Sequence, residues 1–199
     1  MLYINGIDQS KASGGGGGGG GTTLTRYNLG PAKDSSDCIL YSGPMQNGEY
    51  TLTDALDVAR CLLIVREAEG DPDTPGTVTI EGDDAAGAPI SEVVSIGDIG
   101  EPVITTKAFA SVASITGAGW ASDGTADNII IAGYNILGLP LIPASAEDVL
   151  MIGQPGSSYA IWGAPNATIG LTTAECVVSN AMLVLNGVDD VVLYIKEDG

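Results

Sequence analysis

Two clusters of acidic residues are the first candidates for chemistry in this sequence. Residues 67–73 hold four carboxylates, and the spacing Asp71-x-Asp73-x-x-Gly76 partly matches the opening of a calcium-binding loop. The second cluster, residues 123–128, reads Asp-Gly-Thr-Ala-Asp-Asn. Prolines in the first cluster and the missing downstream glutamate argue against an EF-hand. We therefore expect both clusters to form exposed turns, with a structural calcium ion as the alternative.

Residue types that commonly act in catalysis are scarce. The chain contains no histidine, which removes the commonest general base, the His-paired nucleophiles and the usual zinc ligands. Cys38, Cys61 and Cys176 are far apart and lack a C-x-x-C spacing, so we expect buried reduced thiols. No glycine-rich segment is followed by the Gly-Lys-Ser/Thr of a phosphate loop. The sequence predicts no catalytic residue, no metal and no cofactor, and hence no enzyme.

Trp120 and Trp162 are candidates for binding a sugar or a protein partner, since each lies beside Gly or Ala. Aromatic residues make up only 5 % of the chain, so the core has few large side chains available. We expect both tryptophans to be buried. A carbohydrate-binding adhesin module that uses them is the alternative.

Charge limits the partners of this chain. There are 25 acidic and 7 basic residues, giving a net charge of -18. So few basic residues cannot neutralise a phosphate backbone, which excludes nucleic acid as a partner and disfavours anionic membranes. In a particle that encloses DNA, the chain is expected on the outside. Acidity that serves only solubility remains the alternative.

The pattern of short apolar runs between turn residues predicts an all-β fold. Twenty-nine glycines and ten prolines interrupt the chain, and strand-like runs recur every 8–14 residues, as in a β-sandwich. We predict a jelly-roll-like β-sandwich with an extended N-terminal arm. The predicted strands cover residues 38–41, 61–65, 77–82, 90–96, 103–106, 108–116, 128–132, 149–152, 159–162, 176–179, 181–185 and 191–195.

Individual positions follow from the alternation of apolar and polar residues. We expect Asp83 and Gly87 to shape a hairpin turn, and Lys107 and Phe109 to lie on one face of a strand. Residues 53–59 are predicted either as a short helix with Thr53 as N-cap or as an extended path. The expected core includes Val78, Ile80, Val94, Phe109 and Ile115.

A run of eight glycines, residues 14–21, separates a short N-terminal segment from the rest of the chain. Such a run is typical of a flexible linker, but glycine also lets neighbouring backbones approach closely. We expect it to lie against neighbouring chains. The predicted organisation is an arm (1–21), a β-sandwich domain (22–145) and a C-terminal β segment (146–199) that packs on it or forms a second small domain. The predicted assembly interface comprises Leu2, Tyr3, Ile4, Gly14, Gly15, Gly16, Gly17, Gly18, Gly19, Gly20 and Gly21.

The middle of the chain resembles a β-domain of tailed-bacteriophage virion structural proteins. Residues 56–60, 77–87, 90–92, 106–116 and 137–140 carry the resemblance, which spans roughly 80 residues. Neither the arm nor the C-terminal third has a counterpart in it, so the position within a particle is not carried over. The resemblance implies a head-decoration, head-fibre or other surface virion protein without catalytic activity.

The function that this combination predicts is a capsid decoration or cement subunit. We expect it on the outer surface of a tailed-phage head, where it bridges capsomers and stabilises the shell. Its partners would be the major capsid protein and copies of itself, as a homo-oligomer and possibly a trimer. A head-fibre, neck or tail subunit is the alternative within the same class.

Overall fold

The structure is a computed structural model. It describes residues 23–69, 73–122, 124–139, 145, 148 and 185–197, together with the backbone of short strands at 3–4, 7–8, 149–154, 161–163 and 177–178. In this part of the chain there is no α-helix, and a 3-10 turn, η1, spans Ser35–Asp37. No helix among these residues has the length and apolar character needed to cross a membrane.

Fifteen strands make up the described structure, and all their pairings are antiparallel. In chain order they are β1 (Tyr3–Ile4), β2 (Ile7–Asp8), β3 (Thr23–Pro31), β4 (Ile39–Pro44), β5 (Gly48–Glu49), β6 (Arg60–Glu67), β7 (Thr77–Asp83), β8 (Pro89–Ser95), β9 (Val103–Ile104), β10 (Ser111–Ala118), β11 (Asn128–Leu137), β12 (Val149–Gln154), β13 (Ile161–Gly163), β14 (Val177–Val178) and β15 (Asp190–Glu197). The all-β prediction is therefore confirmed, whereas the jelly-roll topology stays a prediction.

The strands form three larger sheets and one two-stranded ribbon. Sheet I has the order β5-β10-β7-β8, and sheet II has the order β14-β11-β6-β9, with β4 also paired to β11. Sheet III has the order β13-β12-β15-β3, and β1 pairs with β2 alone. Sheet III joins the two ends of the chain, since β3 pairs with β15 over its whole length. Strands from both sides of the predicted boundary at residue 145 therefore share one sheet.

Sheets I and II share the main hydrophobic core. Strand β7 alternates between partly exposed threonines and buried Val78 and Ile80, as its sequence predicts. Strand β6 is buried at five of its eight positions and half-buried at two, which agrees with its continuous apolar run. The predicted core residues Val78, Ile80, Val94, Phe109 and Ile115 are all buried in this cluster. A second cluster, built around Leu137, Val191 and Leu193, packs under sheet III.

The β7–β8 hairpin corrects one turn prediction. Gly87 has a φ of 80°, a left-handed conformation that favours glycine, so its predicted role is confirmed. Asp83 instead belongs to β7, and its carboxylate accepts a hydrogen bond from Ser111. The residue that closes the turn is Asp84, whose Oδ1 accepts from the N–H groups of Ala86 and Ala88 at 2.9 and 2.8 Å.

No helix forms at residues 53–59, so of the two predicted alternatives the non-helical path agrees with the structure. The N–H of Thr53 donates to the carbonyl oxygen of Leu40 at 2.8 Å and holds the start of this segment beside β4. Another local prediction is wrong. Lys107 and Phe109 do not share a strand face, since strand β10 begins only at Ser111. Phe109 forms an isolated bridge with Arg60 and is fully buried, while Lys107 lies in a bend.

Candidate functional site

The predicted assembly interface lies mostly outside the described residues. This holds for Leu2 and for Gly14 to Gly21, while Tyr3 and Ile4 are described only as the backbone of β1. Strand β2, which pairs with β1, lies next to β3 at the edge of sheet III. The described residues therefore neither support nor contradict a role of these positions in assembly.

The two predicted acidic clusters meet in three dimensions around a buried arginine. Arg66, near the end of β6, is 4 % exposed, and its Nε donates to Oδ2 of Asp127 at 2.8 Å. Its Nη2 donates to the carbonyl oxygen of Asp73 at 2.7 Å. The N–H of Asp127 donates in turn to Oδ2 of Asp73 at 2.8 Å. We call Arg66, Asp73 and Asp127 the Arg66 network.

The expectation of exposed turns is therefore wrong for two of these acidic residues. Asp73 and Asp127 are buried because a guanidinium and backbone N–H groups replace their hydration. Glu67 and Glu69 are exposed, as expected, and the N–H of Glu69 donates to Oδ1 of Asp127 at 3.1 Å. Within the described residues, no group of three or more His, Cys, Asp or Glu side chains is arranged to hold a metal ion.

Trp120 contributes to the same end of the molecule. It is 9 % exposed, and the guanidinium carbon of Arg66 lies 5.9 Å from its ring centroid, within range of a cation–π contact. The side-chain amide of Asn47 bonds both the N–H and the carbonyl oxygen of Trp120, at 3.0 and 2.9 Å. The prediction that Trp120 is buried is confirmed, and its ring is not free to stack on a sugar. The side chain of Trp162 lies outside the described residues.

A second buried arginine, Arg60, lies at the start of β6 and is fully buried. Its Nη2 lies 2.8 Å from Oδ1 and 3.0 Å from Oδ2 of Asp57, and its Nη1 donates to the carbonyl oxygen of Lys33 at 3.0 Å. The Sγ of Cys38 lies 3.9 Å from Oδ1 of Asp57. We call Arg60, Asp57, Lys33 and Cys38 the Arg60 network.

The Arg60 network does not present an activated nucleophile. Burial raises the pKa of the Cys38 thiol, so the thiolate that would attack an electrophile is disfavoured. The carboxylate of Asp57 is already engaged by Arg60 and by the N–H of Val58 at 2.9 Å. This network therefore ties three chain segments together, and its arrangement is that of a structural ion pair.

Sequence reasoning missed both arginine networks. Arg60 and Arg66 bracket the apolar run of β6, and an arginine at each end of a buried strand was the available signal. Their partners could not be identified, because Asp127 lies 61 positions from Arg66 and reaches it only through the pairing of β11 with β6.

Five of the six described basic residues are buried or engaged with a neighbouring polar group, while Arg26 in β3 is half-buried. Of the seven basic residues, all except Lys11 lie in the described part of the chain. Arg60 and Arg66 are buried, Lys33 and Lys196 lie within 4 Å of Asp54 and Asp148, and Lys107 donates to a backbone carbonyl. The exposed acidic residues are more numerous: Asp37, Glu49, Asp54, Glu67, Glu69, Glu81, Asp83, Asp98 and Glu101.

One concave part of this acidic surface is a cleft of about 610 Å³. It lies between the end of β3, residues 57–59, the β7–β8 hairpin and the start of β15, and we call it the acidic cleft. Its carboxylates are Asp57, Asp83, Asp84 and Asp190. Asp57 is neutralised by Arg60, whereas Asp83 and Asp190 accept from the neutral Ser111 hydroxyl and Asn28 amide at 2.9 and 2.8 Å. Three negative charges in the cleft therefore face no cation among the described residues.

Comparisons with known proteins give no match: no family model, no curated protein and no solved structure corresponds to this chain.

Proposed function

We propose that this chain is a structural virion protein, a decoration or cement subunit on the outer surface of a tailed-phage head. It would bridge capsomers through contacts with the major capsid protein and with copies of itself. The proposal rests on the likeness of residues 56–140 to virion β-domains and on one structural observation. That observation is the distribution of charge: many acidic side chains are exposed, whereas five of the six described basic residues are buried or engaged with a neighbouring polar group.

The charge distribution supports a position outside the shell. Packaged DNA carries one negative charge about every 1.7 Å of helix axis, so a surface of this kind is repelled from it. The same surface favours contact with a basic protein surface, since opposite potentials attract and orient two partners. The acidic cleft brings Asp83, Asp84 and Asp190, which face no described cation, together on one concave part of the surface.

The two arginine networks support a structural role for the buried polar residues. Arg60 engages Asp57, and Arg66 engages Asp127, so the buried charges are paired across segments that are distant in sequence. The hydrogen bonds of such pairs hold loops in one arrangement, although Nε of Arg60 has no partner among the described groups. A subunit that must match the same neighbour many times over a shell benefits from rigid loops.

The direct test uses particles of the parent phage that lack this protein. Purified chain is added back, and its occupancy is measured by cryo-electron microscopy of the decorated heads. We expect density at fixed sites on the outer head lattice and a higher temperature of head disruption than in undecorated particles. Density confined to the neck, tail or fibres would replace the cement role by the alternative subunit role. No density anywhere on the particle would overturn the proposal as a whole.

Charge variants sharpen this test. The triple variant Asp83→Asn, Asp84→Asn, Asp190→Asn removes three charges from the acidic cleft. The matched control Asp37→Asn, Asp98→Asn, Glu101→Gln removes three exposed charges elsewhere. We expect the cleft variant to lose at least about tenfold in affinity for heads, which corresponds to 1.4 kcal/mol. Equal losses in both variants would show that net charge, and not the cleft, determines binding.

A further inference from the structure

Strand β8 is an edge strand of sheet I, and one side of its backbone faces away from β7. The N–H of Ile96 donates to the carbonyl oxygen of Gly76 at 3.0 Å. In an antiparallel ladder alternate residues bond to the same neighbour, so Val94 and Glu92 also direct their backbone groups toward β7. Ser91, Val93 and Ser95 therefore direct theirs outward. An edge of this kind is a template for pairing with another strand.

The composition of this edge suits pairing with a second copy of itself. Its outward residues are Ser91, Val93 and Ser95, which carry no charge although the chain is strongly acidic. Val93 is 64 % exposed, so its side chain is available for contact with a second strand. The order Ser-x-Val-x-Ser is symmetric about Val93. Two antiparallel copies related by a two-fold axis would place Val93 opposite Val93 and Ser91 opposite Ser95.

One segment lies beside this edge. Residues 105–107, which we call the edge strap, are held by the side chain of Glu92. Its Oε1 accepts from the N–H of Thr106 at 2.8 Å, and its Oε2 accepts from the N–H of Lys107 at 2.9 Å. The Nζ of Lys107 then donates to the carbonyl oxygen of Ser91 at 2.7 Å. An outward backbone acceptor that a new strand would need is thus already occupied.

The edge strap is anchored on its other side to sheet II. The N–H of Thr105 donates to the carbonyl oxygen of Leu62 at 2.9 Å, and the N–H of Leu62 donates to Oγ1 of Thr105 at 2.8 Å. Phe109, just beyond the strap, exchanges two backbone hydrogen bonds of 2.9 Å with Arg60. The strap is therefore fixed between β6 and β8, and Lys107 holds a defined position at the edge.

We propose that Glu92 and Lys107 prevent the β8 edge from pairing with another strand. Their removal lets the β8 strands of two copies pair in antiparallel fashion. In a two-fold pair, each copy would bring a Lys107 ammonium against the other copy's strand. Both ammonium groups would then lose water, and each Ser91 carbonyl would still be occupied. Without the lysine the outward residues Ser91, Val93 and Ser95 are uncharged and the carbonyl oxygen of Ser91 is free. This inference does not depend on the proposed function, because it concerns self-association of the purified chain.

The experiment measures the mass of the purified chain by sedimentation equilibrium over a range of concentrations. The variants are Lys107→Ala and Glu92→Ala/Lys107→Ala. The matched control is Lys33→Ala, which removes another partly exposed lysine that lies 3.9 Å from an aspartate. We expect the Lys107 variants to double in mass at concentrations where the wild type and the control do not. The gain in self-affinity should be at least about tenfold, the equivalent of a few cross-strand pairs.

A second substitution keeps the test decisive. Adding Val93→Lys to Lys107→Ala places a charge at the centre of the edge and should restore the mass of the wild type. Amide hydrogen exchange at Val93 and Ser95 should slow in the Lys107→Ala pair and recover in the double variant. An unchanged mass in a folded Lys107→Ala variant would overturn the proposal. So would a doubled mass that Val93→Lys leaves in place.

Discussion

The carboxylates of Asp73 and Asp127 each accept a hydrogen bond from the backbone N–H of the other residue. The N–H of Asp127 lies 2.8 Å from Oδ2 of Asp73, and the N–H of Asp73 lies 3.4 Å from Oδ2 of Asp127. Two like charges are thus buried side by side, which is tolerable because Arg66 donates to Asp127 and to the backbone of Asp73. The loops that precede β7 and β11 are held together by this arrangement.

Replacing Arg66 by methionine should destabilise the fold by about 3–5 kcal/mol, because it leaves a buried carboxylate without its cation. Equilibrium urea unfolding measures the loss. The double variant Arg66→Met/Asp127→Asn should recover part of it, since the charge is then removed as well. As a control, Lys33→Met removes a partner of Asp54 in a pair whose side chains are 41 % and 47 % exposed. It should change the free energy of unfolding by less than about 1 kcal/mol. Equal losses in both single variants would contradict this account.

Replacing Gly82 by alanine should destabilise sheet I. A Cβ at Gly82 would collide with the carbonyl oxygen of Ser111, where β10 has a register shift. Because this neighbour is backbone, strand β10 must move, and we expect a loss of about 1–3 kcal/mol. Gly124→Ala is the control, since a Cβ there meets nothing within 4 Å. The melting temperatures of the two variants are compared. An unchanged melting temperature in Gly82→Ala would contradict the close contact between β7 and β10.

Acid should remove the stabilisation that Asp34 provides to η1. The N–H of Ser36 donates to Oδ1 of Asp34, and this bond, with one from Asn135, lowers the pKa of Asp34 below its ordinary value of 3.8. A folded-state pKa below the unfolded one means that the stabilisation is complete above about pH 4 to 5 and is lost as the pH falls through the lowered value.

Asp34→Ala should therefore cost about 1 kcal/mol at pH 7, the usual loss of an N-cap, and much less at pH 2 to 3. The melting temperature measured against pH gives the comparison. Asp34→Asn keeps an acceptor for Ser36 without a titrating charge. Its melting temperature should therefore fall below that of the wild type as the pH rises, and the two should be equal in acid. A constant difference between Asp34→Ala and the wild type at all pH values would contradict the assignment.

Cys38 should resist alkylation in the folded protein. Burial raises the pKa of its thiol, so less thiolate is present at pH 8 than in an unstructured peptide, and reagent cannot reach the sulfur without local opening. Iodoacetamide labelling followed by peptide mapping reads this site separately from Cys61 and Cys176. We expect labelling of Cys38 to be more than about tenfold slower in buffer than in 8 M urea, because the buried sulfur is reached only through local opening. Comparable rates would contradict its burial.

Much of the local structure could be predicted from the sequence. The alternation of Thr77, Val78, Thr79 and Ile80 predicts a strand with one buried face, and the structure confirms it. The hairpin at Gly87 follows from the ability of glycine to adopt a positive φ. The choice between Asp83 and Asp84 as the turn residue was not predictable in the same way. It depends on where the ladder with β8 ends, which is at Asp83 and Pro89.

The candidate sites were less predictable than the strands. Glu92 and Lys107 lie in different segments, and only the packing of residues 105–107 between β6 and β8 brings them together. Asp190 reaches the acidic cleft beside Asn28 because the two ends of the chain pair in sheet III. No local pattern encodes such a pairing, since many strands of similar composition compete for each edge.

The sequence by itself determined the all-β class, most strand positions, the main core residues and an acidic surface. These depend on period-two alternation, turn residues and composition, which act over a few neighbouring positions. The tertiary structure alone decided that β3 pairs with β15, that Asp73 and Asp127 are buried around Arg66, and that Lys107 covers the edge of β8. Those relationships join residues far apart in the chain, and their free energy exists only once the sheets have formed.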